Sequence, residues 1–181
     1  MPLADSKGAS RRPAILYFQT DRATAERALL YGEFRLKPTS QGEPLTRSPE
    51  SIQILPFGAR KTITGAGFLT LRLSTSAPTT PVSASVDCCL VIRNTEEFGE
   101  RLHRAVHRAL PQWAGIDAAV AYGAPSPLGV AFTKSRHLAA QREWLFAWRP
   151  VEPTFSLAPV VVQIGSIAGI AELQVPPDMV T

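Results

Sequence analysis

Cysteine is nearly absent from this sequence of 181 residues, and the two present, Cys88 and Cys89, are adjacent inside an apolar run. That excludes both a disulfide framework and a Cys-x-x-Cys metal pair, and a reducing cytosol becomes the default setting. On their strand the two thiols point to opposite faces and cannot share a metal, so buried structural thiols are the reading. No GxSxG, GxxxxGK[ST] or GxGxxG occurs either, which removes the usual support for a hydrolase triad, a P-loop or a Rossmann dinucleotide site. Long apolar runs are missing too. Leu157 to Leu173 contains Pro159, Gln163, Gly165, Gly169 and Glu172 and falls short of the roughly 20 apolar residues a membrane span needs. Met1 to Arg12 lacks the apolar segment of about 7 to 15 residues found in a secretory signal and reads as a flexible tail.

What remains is ordinary globular composition, with 45% hydrophobic and 19% charged residues, enough for a core that needs no staples. No polar linker, internal repeat or low-complexity tract divides the chain. The expectation is one domain over residues 13–173 with a short tail over 174–181. Nineteen basic against 15 acidic residues give a net charge of +4, with the bases scattered, which hints at an anionic partner such as a nucleotide.

Pro13 to Thr20 reads as a first strand, and Asp21 can cap a helix over Ala23 to Tyr31 that ends at Gly32. Phe34 to Leu36 is a short strand, Lys37 to Glu50 a loop, and Ser51 to Arg60 a strand followed by a turn. Gly67 to Ser76 alternates apolar and polar residues as a half-buried strand does, before a Pro-rich loop over Ala77 to Ser83. Val86 to Arg93 is apolar enough to be buried on both faces. The clearest helix is Glu96 to Leu110, with Asn94 or Thr95 as cap and Phe98, Leu102, Ala105, Val106 and Ala109 along one side. Short strands at Ala118 to Tyr122 and Val130 to Thr133 flank a turn over Gly123 to Gly129. Ser135 to Gln141 makes one or two helical turns, and strands at Glu143 to Trp148 and Val160 to Ile164 follow, then a segment around Ile167 to Leu173. Strands outnumber helices and often follow one another directly. This predicts an α+β domain with a mixed, largely antiparallel sheet, open to division into two sheets, and a few flanking helices.

Among candidate sites, Phe132 to Phe146 gathers Lys134, Arg136, His137, Gln141, Arg142 and Glu143 before a hydrophobic strand. If the strand begins near Gln141, Gln141 and Glu143 share a face while Arg142 and Trp144 take the other. A carboxylate beside an amide at the mouth of a sheet suits holding a sugar hydroxyl and stabilising a developing cation. The alternative is an ion pair of Glu143 with Arg142, Arg136 or Lys134. Ser74, Thr75 and Ser76 can orient a ribose or phosphate, or can simply end a strand. His103 and His107 have the spacing of two zinc ligands, but they lie away from the apolar stripe and nothing completes a set, so no metal site is expected.

The order of Leu16-Tyr-Phe-Gln-Thr20 before a helix and Gly32, then Leu73-Ser-Thr-Ser76, then Gln141-Arg-Glu143 resembles the ADP-ribosyltransferase fold. The chain also resembles bacterial proteins of the DUF2971 type in Leu16-Tyr17, Gly32-Glu-Phe-Arg-Leu36, Phe132-Thr-Lys134 and Gln141-Arg-Glu-Trp144. The resemblance implies an enzyme using NAD, a bacterial toxin, effector or phage-defence component, that modifies a protein or nucleic-acid acceptor. It implies Glu143 as the catalytic carboxylate, Gln141 positioning the acceptor, and Tyr17, Thr20, Ser74, Thr75 and Ser76 at the NAD pocket. Phe18 and Gln19 stand where the family has His or Arg, which leaves Arg72 as a substitute if the sheet brings it to the same pocket. The other expectation is a non-catalytic module of the same fold that binds a protein or nucleic-acid partner.

Overall fold

A computed structural model describes residues 11–39, 52–54, 60–62, 67–78, 86–152 and 157–174. β1 (Leu16–Thr20) leads into α1 (Arg22–Tyr31), which starts where the Asp21 carboxylate accepts the Thr24 N–H at 2.9 Å. It stops at Gly32, whose φ is 64° and where a Cβ would come within 2.1 Å of the Gly165 carbonyl oxygen. Next come β2 (Glu33–Thr39), β3 (Ile52–Ile54), β4 (Arg60–Thr62), β5 (Phe68–Ser74) and β6 (Cys88–Ile92). Asn94 caps α2 (Thr95–Ala109) by accepting the Glu97 N–H at 3.2 Å. The chain continues through β7 (Trp113–Ala119), β8 (Ala121–Tyr122), a 3-10 turn over Val130–Phe132, β9 (Thr133–Lys134) and a second 3-10 turn over Arg136–Gln141. β10 (Glu143–Pro150), β11 (Val160–Gln163) and β12 (Ala171–Gln174) complete it.

The expected α+β class is what forms. Eight strands make one antiparallel sheet in the order β11-β2-β5-β1-β6-β12, with β10 along the other edge of β5 and β7 beyond β10. β3 pairs with β4, and β8 runs parallel to β9. The sheet is not divided into two, an outcome the sequence left open, but it forks. Along one edge β5 pairs through Phe68, Leu69 and Thr70 with β2 but through Ser74 with β1. Between these, Leu71, Arg72 and Leu73 have no register partner on that edge among the described residues.

Both helices cover one face of the sheet. Leu16, Leu69, Leu71, Leu73, Leu90, Ile92, Trp144, Phe146 and Trp148 pack there with Phe98, Leu102 and Val106 of α2 and Ala28 of α1. Phe98 meets Phe34 and Phe146 edge-on, with ring centroids at 5.2 and 5.8 Å. On the far face a smaller cluster joins Ala118, Val120, Phe132, Leu145 and Ala147.

Several expectations need correction. The strand placed at Ala118 begins at Trp113, because its small residues pair with β10 along the whole length. Val130 to Phe132 is a 3-10 turn after Gly129, which has φ 97°, and only Thr133–Lys134 is extended. Lys37 to Thr39 belongs to β2 rather than to a loop, held by its ladder to β5. Arg12, assigned to a flexible tail, is anchored to Asp117 at 2.7 Å through two guanidinium nitrogens. Residues 1–10, residues 40–50 of the expected loop, all but Ile52–Ile54 and Arg60 of the expected strand and turn over Ser51 to Arg60, residues 79–83 and residues 175–181 lie outside the described residues.

Candidate functional site

The registers set three of the expected residues in a row. Tyr17 of β1 is opposite Ser74 of β5, and Ser74 is opposite Glu143 of β10, so all three side chains share the far face. Two strand spacings separate the ends of the row, about 10 Å. Arg72 lies two residues along β5 on the same face, exposed, at the fork. The ladder's parity also turns its backbone N–H and C=O toward the fork. Val120 N–H bonds the Glu143 carbonyl, so even-numbered residues of β10 face β5 and odd-numbered residues of β5 face β10. Thr20 is not part of this group: with Leu16 and Phe18 it follows the opposite alternation, and its hydroxyl donates to Asp21 at 3.4 Å.

Around Glu143 the parallel pair β8–β9 sets Tyr122 beside Lys134 and aims both at the carboxylate. Lys134 Nζ lies 2.6 Å from Glu143 Oε2, with the side chains 12% and 13% exposed. Tyr122 Oη accepts the Glu143 N–H at 3.0 Å and stands 3.5 Å from Oε2. Among the described residues, no donor reaches Oε1. Burial pushes the Tyr122 phenol up and the Glu143 carboxylate adds to this, while the Glu143 N–H and Arg72 pull it down.

Gln141 and Glu143 do converge, though not by strand alternation. Gln141 ends the 3-10 turn, and Arg142 adopts a left-handed conformation, φ 43° and ψ 54°, that swings the chain into β10. The convergence is on Lys134, whose Nζ also donates to Gln141 Oε1 at 3.3 Å. The strained Arg142 peptide is held by Thr75, which donates both its N–H (2.8 Å) and its hydroxyl (3.0 Å) to the Arg142 carbonyl.

The Ser74, Thr75 and Ser76 hydroxyls are used locally. Ser74 Oγ is within bonding distance of the Ser76 and Gln141 carbonyls, at 3.0 and 3.3 Å, and accepts the Ser76 N–H at 3.2 Å. With one hydroxyl proton and these partners, Ser74 is a tie between β5 and the turn before β10. Burial raises both thiols, Cys89 to about 11, which fits structural cysteines.

A second polar cluster on the helical face went unread in the sequence. Asp117 of β7 accepts two bonds from Arg12 at 2.7 Å, one from His103 Nε2 at 2.8 Å and one from Trp144 Nε1 at 2.9 Å. Burial alone would push its carboxyl up, but His103, Arg12 and Trp144 outweigh that and hold it well below the usual carboxylate range. Trp148 donates to His103 Nδ1 at 3.1 Å, so that nitrogen carries the lone pair and Nε2 the proton. His103 is thus half-buried against Phe146 and Trp148, not on a solvated face as its neighbours suggested. The available signal was Asp117 itself, the only charge between Trp113 and Tyr122. Tyr122 carried none.

Two shallow cavities have linings that include neither Glu143 nor Asp117. One of about 290 Å³ is lined by Phe68, Ile116, Leu128, Phe132, Ala147 and Arg149, toward the end of β10 remote from Glu143. Another, of about 360 Å³, lies by Arg93, Asn94 and Glu172. No group of His, Cys, Asp and Glu able to hold a metal occurs among the described residues, and none of their helices is long and apolar enough to cross a membrane. Compared with models of known families, with curated proteins and with solved structures, the chain matches none.

Proposed function

We propose that the protein is an ADP-ribosyltransferase-like enzyme that takes NAD as substrate and uses Glu143 as its essential carboxylate. The observation that carries this reading is the row Tyr17, Ser74, Glu143 on one sheet face, with Arg72 beside it at the fork. Tyr17 offers a half-buried ring for stacking, and the exposed Arg72 guanidinium offers a charge for a pyrophosphate. The Arg72 N–H and C=O, turned toward the fork, form a donor and acceptor pair suited to a primary carboxamide. Ser74, Thr75 and Ser76 have a supporting role only, since the Ser74 and Thr75 hydroxyls are engaged with backbone carbonyls and the Ser76 hydroxyl lies 3.3 Å from Ser74 Oγ.

In the reaction, Glu143 accepts a hydrogen bond from a ribose hydroxyl and stabilises the cation that develops at the anomeric carbon. The glycosidic carbon–nitrogen bond breaks, and its electron pair leaves on nicotinamide, which becomes neutral. The acceptor's oxygen or nitrogen then bonds to the anomeric carbon and releases its proton to Glu143 or water. Stabilising charge present only in the transition state is worth roughly a factor of 10² to 10³ for one well-placed group. Glu143→Gln is therefore expected to slow nicotinamide release from NAD by about that factor. Equal rates for wild type and variant would sink the assignment.

One observation favours a second reading. The Lys134–Glu143 pair, 2.6 Å long and mostly buried, suits a strut in a non-catalytic module that binds a protein or nucleic-acid partner. Stabilisation of the fold by NAD in a thermal melt supports the enzyme. A nucleic-acid mobility shift that weakens steeply with salt supports the module.

A further inference from the structure

β7 is the outermost strand on its side of the sheet, paired among the described residues only with β10. The bonds from Val120 N–H to the Glu143 carbonyl and from Val151 N–H to the Gln112 carbonyl fix its parity. Even-numbered residues turn their backbone groups toward β10, and Trp113, Gly115, Asp117 and Ala119 turn theirs outward. Trp113 N–H is taken by the Leu110 carbonyl at 3.1 Å, which leaves Gly115, Asp117 and Ala119 with outward N–H groups. Ala114, Gly115, Ile116 and Ala119 are exposed.

Proteins ordinarily protect such an edge with lysine, proline, a bulge or a short strand. The other outer strands follow that rule. β11 has 4 residues and is preceded by Pro159, and β12 has 4 residues with Glu172 paired to Arg93. β7 has 7 residues, most of them small, and no proline or lysine. Its one charge, Asp117, turns to the helical face, where Arg12 neutralises it.

We infer that the β7 edge is an interface between two copies of this chain, joined antiparallel about a two-fold axis through Ile116. In that register Trp113 faces the partner copy's Ala119 and Gly115 faces its Asp117, so all 7 residues of each strand overlap. The outward groups fall in the closely spaced hydrogen-bonded pairs, giving about six backbone bonds. No uncompensated like charge meets at the seam, because each Asp117 carboxylate is already held within its own copy. On the far face Ile116, 44% exposed, meets its own counterpart beside Leu128, 43% exposed, and both side chains line the same shallow cavity. One strand pair and a few apolar side chains make a small interface, so the dimer is weak and concentration-dependent.

The test reads register as well as mass. Light scattering of the full chain over a concentration series is expected to rise toward twice the chain mass, and Ile116→Lys, which sets two ammonium groups at the axis, is expected to stay monomeric with an unchanged far-ultraviolet spectrum. Ile116→Cys is expected to form a disulfide-linked dimer under mild oxidation, since residues opposed in a non-hydrogen-bonded pair have Cα atoms about 4.5 Å apart. Ala114→Cys, opposed to Ala118 of the partner copy, is not. A chain that stays monomeric at its highest soluble concentration, or cross-linking of Ala114→Cys without Ile116→Cys, overturns the proposal.

Discussion

Asp117 and Glu143 lie on neighbouring strands of one sheet, on opposite faces, and their surroundings are opposite in kind. Asp117 accepts four hydrogen bonds from Arg12, His103 and Trp144, drawn from the N-terminal segment, α2 and β10. Both of its oxygens are saturated. Glu143 has one short contact, to Lys134, and a longer one to Tyr122, both at Oε2, with Oε1 unengaged among the described residues. Chemistry needs an acceptor with spare capacity, whereas a joint between elements needs none. The difference assigns Asp117 to holding the fold together and is what the proposed role of Glu143 on a ligand requires.

The largest effect should come from Asp117. Asp117→Ala leaves the Arg12 guanidinium, 17% exposed, with only the exposed Glu96 carboxylate, 2.7 Å from Nη1, as a counter-charge among the described residues, and removes the acceptor for His103 and Trp144. Breaking a buried pair from one side costs about 3 to 5 kcal/mol. Glu143→Gln removes one charge of the Lys134 pair but keeps an acceptor facing Lys134 and Tyr122, so its cost should be smaller, about 1 to 3 kcal/mol. Urea denaturation of the two variants measures the contrast. Equal losses would make Glu143 a second strut and remove the reason for reading it as a site.

Acid should expose the same contrast. The Asp117 carboxyl is depressed in the folded state, so its contribution is complete above the unfolded value near 4 and is lost as pH falls through the lower folded value. Wild-type stability is therefore expected to decline from about pH 4 downward, and Asp117→Asn, lacking this proton uptake, should show a shallower decline. An unchanged slope in melting temperature against pH would mean that other carboxylates carry the acid sensitivity.

How much of this was legible follows from where the information sits. Asp21, Gly32, Asn94 and the apolar stripe of α2 are local signals, and the two helices formed within a residue or so of where they were expected. Glu143 and Ser74 were also visible, as polar residues at the ends of strong strands. What could not be read was register, because it is set by pairings distant in sequence. It decided that Tyr17 joins Ser74 and Glu143 while Thr20 faces the other way. The Asp117 cluster was hidden for the same reason, since Arg12 lies 105 residues away. Gln141 and Glu143 were expected to share a face through alternation, and the left-handed Arg142 between them breaks that alternation.

The smallest predicted effect concerns that residue. A left-handed conformation costs a non-glycine residue about 1 to 2 kcal/mol, and here it coincides with the peptide that aims Gln141 and Glu143 at Lys134. Arg142→Gly would relieve that strain, while glycine's greater freedom in the unfolded chain returns about 0.5 to 1 kcal/mol. The net expectation is a gain of less than about 1 kcal/mol in unfolding free energy, read as a higher urea midpoint. Thr75 holds the Arg142 carbonyl through backbone geometry that glycine preserves, so the aim of Glu143 should survive and the NAD turnover proposed for the wild type should be kept by the variant. A loss of turnover at undiminished stability would show that the Arg142 side chain itself acts on the substrate. A loss of stability would show that the Thr75 contacts depend on more than the turn.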